Sequence, residues 1–210
     1  MFAKTLLPDT FRVIQLISGS ADIQKAYLAG GTALALRIGH RISVDLDFFT
    51  AEPFDEEVLS RGFMKTPEFV LERNEWRTVL GKISETKFSI FYYKYPLIGL
   101  PEKFEGINIA SLADIAAMKI HAIEDRGSKR DFVDVFFLAK HFSLEQMLDF
   151  YDQKYKCLEE HLYSIVKALG YFEAAEIQDI PGMLVDVKWD EIKSLCKRES
   201  LRLAKDRLGL

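Results

Sequence analysis

The sequence predicts an α+β fold, with a mixed β-sheet and flanking helices in the first half of the chain and helices in the second. The first half holds a short apolar run that ends in paired glycines, followed by several runs rich in branched and aromatic residues. The second half holds helix-start signals instead. No repeat or low-complexity linker separates the two regions, 1–105 and 106–210, so we expect them to share a core.

The composition is that of a folded protein and excludes several classes. The 210 residues are 49% hydrophobic and 12% aromatic, and the formal net charge of −4 gives no sign of nucleic-acid or membrane binding. Cys157 and Cys196 belong to no C-x-x-C pair, which argues against a disulfide scaffold or a zinc site. No run approaches about 18 apolar residues, the length of a spanning helix, and the start is too short for a signal peptide. We therefore expect a cytoplasmic protein with no membrane contact.

The first region is expected to begin as helix, strand, glycine turn and helix. Apolar residues at helical spacing predict a helix that starts after Pro8 and closes near Gly19. Residues 26–29 form a short apolar run, Gly30-Gly31 follow as the turn, and Thr32 opens a helix that Gly39 ends.

A strand with one apolar and one polar face is expected from Arg41 to Phe48. Its apolar members are Ile42, Val44, Leu46 and Phe48, and its polar members are Arg41, Ser43, Asp45 and Asp47. A short helix over residues 55–61 and strands over residues 69–71, 76–83 and 87–95 complete the sheet region.

The second region is expected to be helical throughout. A capping box at Ser111 opens a helix to about Asp125, and a second helix covers residues 131–141. Another capping box at Ser143 opens further helices, the last of which covers residues 190–208.

The candidate chemistry begins with two carboxylates on one strand face. Alternation places the side chains of Asp45 and Asp47 about 7 Å apart at their roots, a spacing that suits Mg²⁺, although such a pair is also typical of a solvated strand face. Gly30-Gly31 lets the backbone approach a ligand closely, and the first amides of the Thr32 helix can bind an anion. A phosphate at the turn and a metal on the strand would form one site, which favours nucleotide chemistry.

Two blocks of sequence carry a more specific pattern. The first is Leu28-Ala29-Gly30-Gly31-Thr32-Ala33-Leu34-Ala35-Leu36 followed by Arg41-Ile42-Ser43-Val44-Asp45-Leu46-Asp47-Phe48-Phe49. The second is Ser111-Leu112-Ala113-Asp114, Ala117-Met118-Lys119 and Arg126-Gly127-Ser128-Lys129-Arg130-Asp131-Phe132-Val133-Asp134. In this order they resemble the AbiEii/AbiGii toxin family of nucleotidyltransferases over roughly residues 26 to 140.

The resemblance implies the polymerase-beta-like nucleotidyltransferase fold and transfer of a nucleoside monophosphate from a nucleoside triphosphate, with Mg²⁺ as cofactor. The implied acceptor is tRNA, another RNA or a protein, and the implied partner is an antitoxin protein. By position, Gly31 and Thr32 would hold the triphosphate, Asp45 and Asp47 the metal, Lys119 a phosphate, and Asp131 would be a second-block catalytic carboxylate. The helical region would complete the active-site cleft.

One position departs from the wider superfamily, whose members often place a third carboxylate on a later strand. The candidate strand Lys87-Phe88-Ser89-Ile90-Phe91 offers Ser89 there. Either Asp131 supplies the missing charge, or the site holds one ion and is slow or inactive.

Several candidate residues keep two interpretations. Arg41 and Ser43 either contact phosphate or pair with the aspartates, and Lys119 either binds a ligand or reaches solvent from the edge of an apolar helix face. Asp131 and Asp134 are also favourable acids at a helix start. The basic run from Lys188 to Arg207 could hold RNA but is more typical of a solvated helix face. The four histidines have no metal-ligand spacing, so no role is assigned to them.

Three functions follow from these patterns. The first is a Mg²⁺-dependent nucleotidyltransferase that acts as the toxin of a toxin–antitoxin pair. The second is a catalytically weak or inactive nucleotide-binding relative that works through a protein partner, which the serine at position 89 favours. The third is a glycosyltransferase with an acid-x-acid metal motif, which ranks last because only about 44 residues precede the acidic pair, too few for the expected βαβ unit.

Overall fold

The computed structural model describes every residue from Met1 to Leu210, and the chain forms two compact units, Met1–Ser111 and Leu112–Leu210. A seven-stranded mixed sheet lies in the first unit, with helices before and between its strands. The second unit is helical. The predicted α+β class, a mixed sheet with flanking helices followed by a helical half, is confirmed.

The sheet combines parallel and antiparallel strands. Its strands are β1 (Tyr27–Leu28), β2 (Leu46–Thr50), β3 (Phe69–Glu75), β4 (Thr78–Ile83), β5 (Thr86–Tyr92), β6 (Glu102–Phe104) and β7 (Ile107–Ile109). They lie in the order β3-β4-β5-β2-β1-β7-β6. The pairs β2–β5 and β1–β7 are parallel, and the other neighbouring pairs are antiparallel. The central position of β2 places the residues at its start in the middle of the sheet.

Three helices of the first unit begin within two residues of their predicted starts, whereas a 3-10 turn at Ala3–Thr5 and a short helix at Ala21–Lys25 were not expected. The helices are α1 (Pro8–Ile17), α2 (Ala21–Lys25), α3 (Gly30–Ile38) and α4 (Glu56–Phe63). Gly39 ends α3 with φ at 71°, in the left-handed region that glycine adopts without strain. The Asp55 side chain caps α4 by accepting a hydrogen bond from the Val58 amide.

The buried face of the sheet carries an aromatic core. Phe48 and Phe88 face each other across β2 and β5 with ring centroids 5.9 Å apart. Phe63 of α4 lies 4.8 Å from the Phe88 ring, and Phe69 of β3 lies 6.1 Å from it. Burial of side chains of this size stabilises a fold by roughly 1.5–3 kcal/mol each, so these contacts fix β2 and β5 beside each other.

Two expectations for the first unit are wrong. The strand predicted from Arg41 begins only at Leu46, and before it the burial pattern is reversed, because Arg41 and Ser43 are buried while Ile42 and Val44 are partly exposed. The Ser43 amide bonds to the Thr5 carbonyl oxygen instead of to a strand (3.0 Å). Strands β6 and β7, beyond residue 101, were also not expected, because each has three residues and little alternation to reveal it.

The second unit consists of helices. They are α5 (Leu112–Asp125), α6 (Lys129–Leu138), α7 (Leu144–Tyr155), α8 (Leu158–Leu169), α9 (Glu173–Glu176) and α10 (Trp189–Leu203), followed by a π-helical turn (Ala204–Leu208). The predicted capping box at Ser143 is confirmed, since its side chain and that of Gln146 each bond the other residue's amide. A fully buried ion pair joins α7 to α5, with Lys154 Nζ 2.8 Å from Asp114 Oδ1. None of the helices combines the length and the apolar character that a membrane span needs.

Candidate active site

The glycine turn lies against the carboxylate of Asp47. Gly30 is the first residue of α3 and has φ at 70°, a left-handed conformation that a residue with a side chain adopts only with strain. A β carbon at Gly30 would stand 3.6 Å from Asp47 Oδ2. The turn is tied to β2 by the Ala29 amide, which donates to the Asp47 carbonyl oxygen at 3.0 Å. The N-terminal end of α3 and the candidate metal ligand Asp47 therefore adjoin each other.

Gly31 has no positive φ, but its lack of a side chain leaves room for Arg41. A β carbon there would collide with Nη2 of Arg41 and lie 3.3 Å from the Ser43 hydroxyl. Arg41 is only 3% exposed, and its Nη1 donates to the Ile42 carbonyl oxygen at 3.1 Å. A buried guanidinium has few alternative positions, because leaving its hydrogen-bond partners is costly. Its positive charge thus lies directly beside the backbone of the glycine turn.

Thr32 connects the helix to the aspartate segment. Its buried hydroxyl donates to the Asp45 carbonyl oxygen and lies 2.9 Å from the Ser43 hydroxyl. These bonds hold the backbone of the segment before β2 against the first turn of α3. The hydroxyls of Thr32 and Ser43 are therefore engaged within the protein, which indicates that they order the site.

Asp45 and Asp47 occupy different positions on the backbone. Asp45 directly precedes β2, and Asp47 is the second residue of the strand, on its partly exposed face. Both side chains are partly exposed, whereas the neighbours Leu46 and Phe48 are fully buried. The predicted alternation of buried and exposed residues therefore holds from Leu46 onward. Asp45 lies just before the strand in which that alternation begins.

Ser89 lies beside Asp47 in the sheet. The two residues are Cα partners across the parallel pair of β2 and β5. Ser89 is partly exposed between the buried residues Phe88 and Ile90. The serine at the expected third-carboxylate position is therefore the direct neighbour of Asp47.

The residues at this site fit a Mg²⁺ ion. The structure contains no group of three or more histidine, cysteine or acidic side chains that could enclose a metal ion. Mg²⁺ does not need such a group, because one or two carboxylates suffice when water and substrate phosphates complete its octahedron. Asp45 and Asp47, beside the glycine turn, are a donor set of that kind.

The second unit places Lys119 inside a charge network. Its Nζ lies 2.9 Å from Asp131 Oδ1 and 2.7 Å from Asp134 Oδ2, and the residue is 5% exposed. Lys119 therefore does not reach solvent from the edge of its helix face, which was one of the two interpretations of the sequence. Its charge is held by two carboxylates that lie on α6.

Asp131 is the centre of that network. Arg126 donates to both of its oxygens, at 2.8 and 3.0 Å, and the Ser128 hydroxyl donates to Oδ2 at 2.5 Å. Burial alone would raise the pKa of Asp131, but the charge of Lys119 and the hydrogen bonds from Arg126 outweigh it and hold the pKa well below its usual range. The carboxylate is therefore ionised, and its oxygens are engaged by cations and a hydroxyl.

The structure brings the predicted residues together in two groups. In the first unit, one group comprises Gly30, Gly31, Thr32, Arg41, Ser43, Asp45 and Asp47. In the second unit, Lys119 and Asp131 contact each other. Arg126 was quoted within the second motif block but was given no role of its own. The sequence signal that could have predicted its contact is the short spacing between Arg126 and Asp131, which lie on either side of the Ser128 cap of α6.

The basic run from Lys188 to Arg207 is partly neutralised by ion pairs. Arg202 pairs with Glu145 and Glu199, and Lys193 lies 2.9 Å from Glu176. Such a pattern is typical of a solvated helix face rather than of a surface that holds nucleic acid.

The fold and this arrangement define the chain as a protein of the nucleotidyltransferase fold. MenT4, the nucleotidyltransferase toxin Rv2826c from Mycobacterium tuberculosis H37Rv, superposes with a TM-score of 0.58 at 17% identity, covering 91% of this chain and 80% of that one. JHP933 from Helicobacter pylori superposes with a TM-score of 0.52 at 18% identity, covering 97% and 95%. At such identities these similarities show the fold alone.

The sequence identifies the family. The chain matches the family described as "Nucleotidyl transferase AbiEii toxin, Type IV TA system" over residues 13–103 and 94–202. It is also 41% identical over 184 residues to Uncharacterized protein aq_aa25 of Aquifex aeolicus (strain VF5), which covers 82% of this chain and 85% of the relative. The chain belongs to the AbiEii nucleotidyltransferase toxin family, as the resemblance of its two motif blocks predicted.

Proposed function

We propose that this chain uses Mg²⁺ to transfer a nucleoside monophosphate from a nucleoside triphosphate to an acceptor, and that it is the toxin of a toxin–antitoxin pair. The observation that supports this most strongly is the position of Asp47, whose carboxylate lies against the glycine turn that opens α3. A metal ligand and an anion-binding helix end are thereby adjacent. A bound nucleotide needs both, because its phosphates carry the charge that each neutralises.

The proposed roles in the first unit follow from the geometry. The amides at the start of α3 bind phosphate oxygens, and the guanidinium of Arg41 behind Gly31 adds positive charge there. Asp45 and Asp47 hold Mg²⁺, which when bound supplies charge neutralisation to the phosphates. Thr32 and Ser43 keep the turn and the aspartate segment in register.

The proposed reaction is a substitution at the α-phosphorus. A hydroxyl oxygen of the acceptor loses its proton to solvent and forms a bond to that phosphorus, while the bond to the bridging oxygen of the β-phosphate breaks and pyrophosphate leaves. The enzyme contributes mainly position and charge to such a transfer, because the transition state carries spread negative charge.

The roles of Lys119 and Asp131 are carried over from the second motif block. We propose that Lys119 meets a substrate phosphate and that Asp131 is required for transfer through its hold on Lys119. The contacts of Asp131 with Lys119, Arg126 and Ser128 support an ionised carboxylate that orients a cation.

The acceptor class is tested by a labelling experiment. The purified chain is incubated with Mg²⁺ and each α-labelled nucleoside triphosphate, with total tRNA in one arm and a cytosolic protein extract in the other. We propose tRNA or another RNA as the acceptor, so label should appear on RNA in the first arm. Label on protein in the second arm, with none on RNA, would show that the acceptor is a protein instead. Nucleotide binding without any transfer would favour the second candidate, an inactive relative, for which Ser89 beside Asp47 is the supporting observation.

The toxin role is tested in cells. Induced expression should arrest bacterial growth, and co-expression of the adjacent reading frame should relieve the arrest if that frame encodes the antitoxin. An Asp45→Asn variant expressed to the same level should not arrest growth. Equal arrest by both forms would contradict a toxin that acts through nucleotide transfer.

A further inference from the structure

The number of metal ions at the site depends on the strand beside Asp47. Strand β5 runs parallel to β2, and its Ser89 is the Cα partner of Asp47. Neighbouring strands are about 4.8 Å apart, and residues in register on one face point the same way. Phe48 and Phe88 turn into the buried core, so Asp47 and Ser89 share the other face. A carboxylate at position 89 would therefore stand directly beside that of Asp47.

A carboxylate at position 89 would favour a second ion. Two-metal sites hold their ions about 3.5–4 Å apart and need enough negative charge to offset the repulsion between them. The first unit supplies Asp45 and Asp47, and no third acidic, histidine or cysteine side chain completes a cluster with them. The hydroxyl of Ser89 is neutral and offsets none of that repulsion.

The rest of this face also disfavours a second cation. Lys87 lies two positions before Ser89 on β5, on the same face of the strand, and its side chain is exposed. Its Cα partner on β4 is another lysine, Lys82. Lys82 is paired with Glu72 at 3.5 Å, so the exposed Lys87 is the positive charge that this strand pair adds where a two-ion site would gather negative charge.

We infer that this site binds one divalent ion, and that Ser89 is the residue that excludes a second. The inference rests on the proposed function, since it concerns the ion that Asp45 and Asp47 hold. It attributes the number of bound ions to the side chain of Ser89. Replacing Ser89 by aspartate should create the second site, because the added carboxylate would adjoin Asp47 in the parallel ladder.

The test uses Mn²⁺ as a paramagnetic substitute for Mg²⁺. The full chain is titrated with Mn²⁺ in the presence of each α,β-methylene nucleoside triphosphate analogue, which cannot be turned over at that bond. Electron paramagnetic resonance counts the bound ions and detects magnetic coupling between ions about 3.5–4 Å apart. The parent, Ser89→Asp and Ser89→Asn are compared, because asparagine has the size of aspartate without its charge.

We expect the parent and Ser89→Asn to bind about one ion per chain with no coupling, and Ser89→Asp to bind about two with a coupled spectrum. A coupled pair in the parent would overturn the inference. An uncoupled spectrum in Ser89→Asp would overturn the assignment to Ser89. If the parent binds no more Mn²⁺ than the double variant Asp45→Asn/Asp47→Asn, the proposed metal site itself is wrong.

Discussion

A substitution of Gly31 by alanine tests the packing of the glycine turn. The added methyl group would collide with Nη2 of Arg41 and approach the Ser43 hydroxyl to 3.3 Å. Backbone strain does not contribute, because Gly31 has no positive φ. The outcome therefore depends on whether the guanidinium of Arg41 can move, and its burial and its bond to the Ile42 carbonyl oxygen oppose that.

The magnitude follows from two opposing effects. Overpacking a buried contact costs about 1–3 kcal/mol. Alanine in place of glycine favours a helix by up to about 1 kcal/mol. The unfolding free energy of Gly31→Ala should therefore fall by about 1 kcal/mol, and by no more than about 3. The thermal shift produced by Mg²⁺ and a nucleoside triphosphate should fall as well, since the backbone at Gly31 would no longer be in place for phosphate.

Urea unfolding measures this effect, and Gly62 is the matched control. Gly62 lies in α4 with nothing within 4 Å of a built β carbon, so Gly62→Ala should gain up to about 1 kcal/mol. In an Arg41→Ala background the Gly31→Ala loss should disappear, which gives a coupling energy of about 1 kcal/mol or more. If Gly31→Ala is stabilised as Gly62→Ala is, Arg41 does not lie against the turn and the reasoning is refuted.

Three further predictions concern the same two units. At nucleotide and Mg²⁺ concentrations about 100 times the Kd, the unfolding free energy of the parent should rise by about 2.7 kcal/mol. Differential scanning fluorimetry should show that Asp47→Ala loses most of the accompanying rise in Tm. The exposed control Asp22→Asn should keep that rise. Thr32→Val should cost about 1–3 kcal/mol in urea unfolding because the Ser43 hydroxyl loses its partner, whereas Thr32→Ser, which keeps the hydroxyl, should cost less. The folded-state pKa of Asp131 is below its unfolded value of 3.8. The stabilisation that its carboxylate provides is therefore complete above about pH 5 and is lost as the pH falls toward the folded pKa. Between about pH 4 and 2 the unfolding free energy should fall less steeply in Asp131→Asn than in the parent, and equal slopes would exclude this linkage.

The sequence predicted the elements whose signals are local. The paired glycines before Thr32, the left-handed stop at Gly39 and the capping box at Ser143 each depend on a few neighbouring residues. The class of the fold follows from the order of these elements. The family resemblance, carried by two motif blocks, was confirmed by the match over residues 13–103 and 94–202.

The segment before β2 could not be predicted from alternation. Arg41 and Ser43 are polar, so a period of two placed them on a solvated face, yet both are buried. Their burial is explained by contacts with Gly31 and Thr32, about ten residues earlier in the chain. Tertiary hydrogen bonds therefore overrode the local pattern, which is common where a site draws polar groups inward.

The charge network of the second unit was equally beyond a local interpretation. Lys119 lies among apolar helix positions, and only its distance to Asp131 and Asp134 shows that it is enclosed by carboxylates. The role of Arg126 was not predicted, because its guanidinium reaches Asp131 across the break between α5 and α6. The roles assigned to these residues in transfer stay predictions.

The most direct test of the central claim is nucleotide transfer by Asp45→Asn, measured with thermal and urea unfolding of the same preparation. Asp45 is partly exposed and outside the hydrophobic core, so its unfolding free energy should change by less than about 1 kcal/mol. The neutral amide is a poor ligand for Mg²⁺, so transfer of label should be abolished, while Asp22→Asn should transfer at the parental rate. Transfer by Asp45→Asn at the parental rate, or a loss of stability large enough to explain its inactivity, would contradict a metal-dependent nucleotidyltransferase site at Asp45 and Asp47.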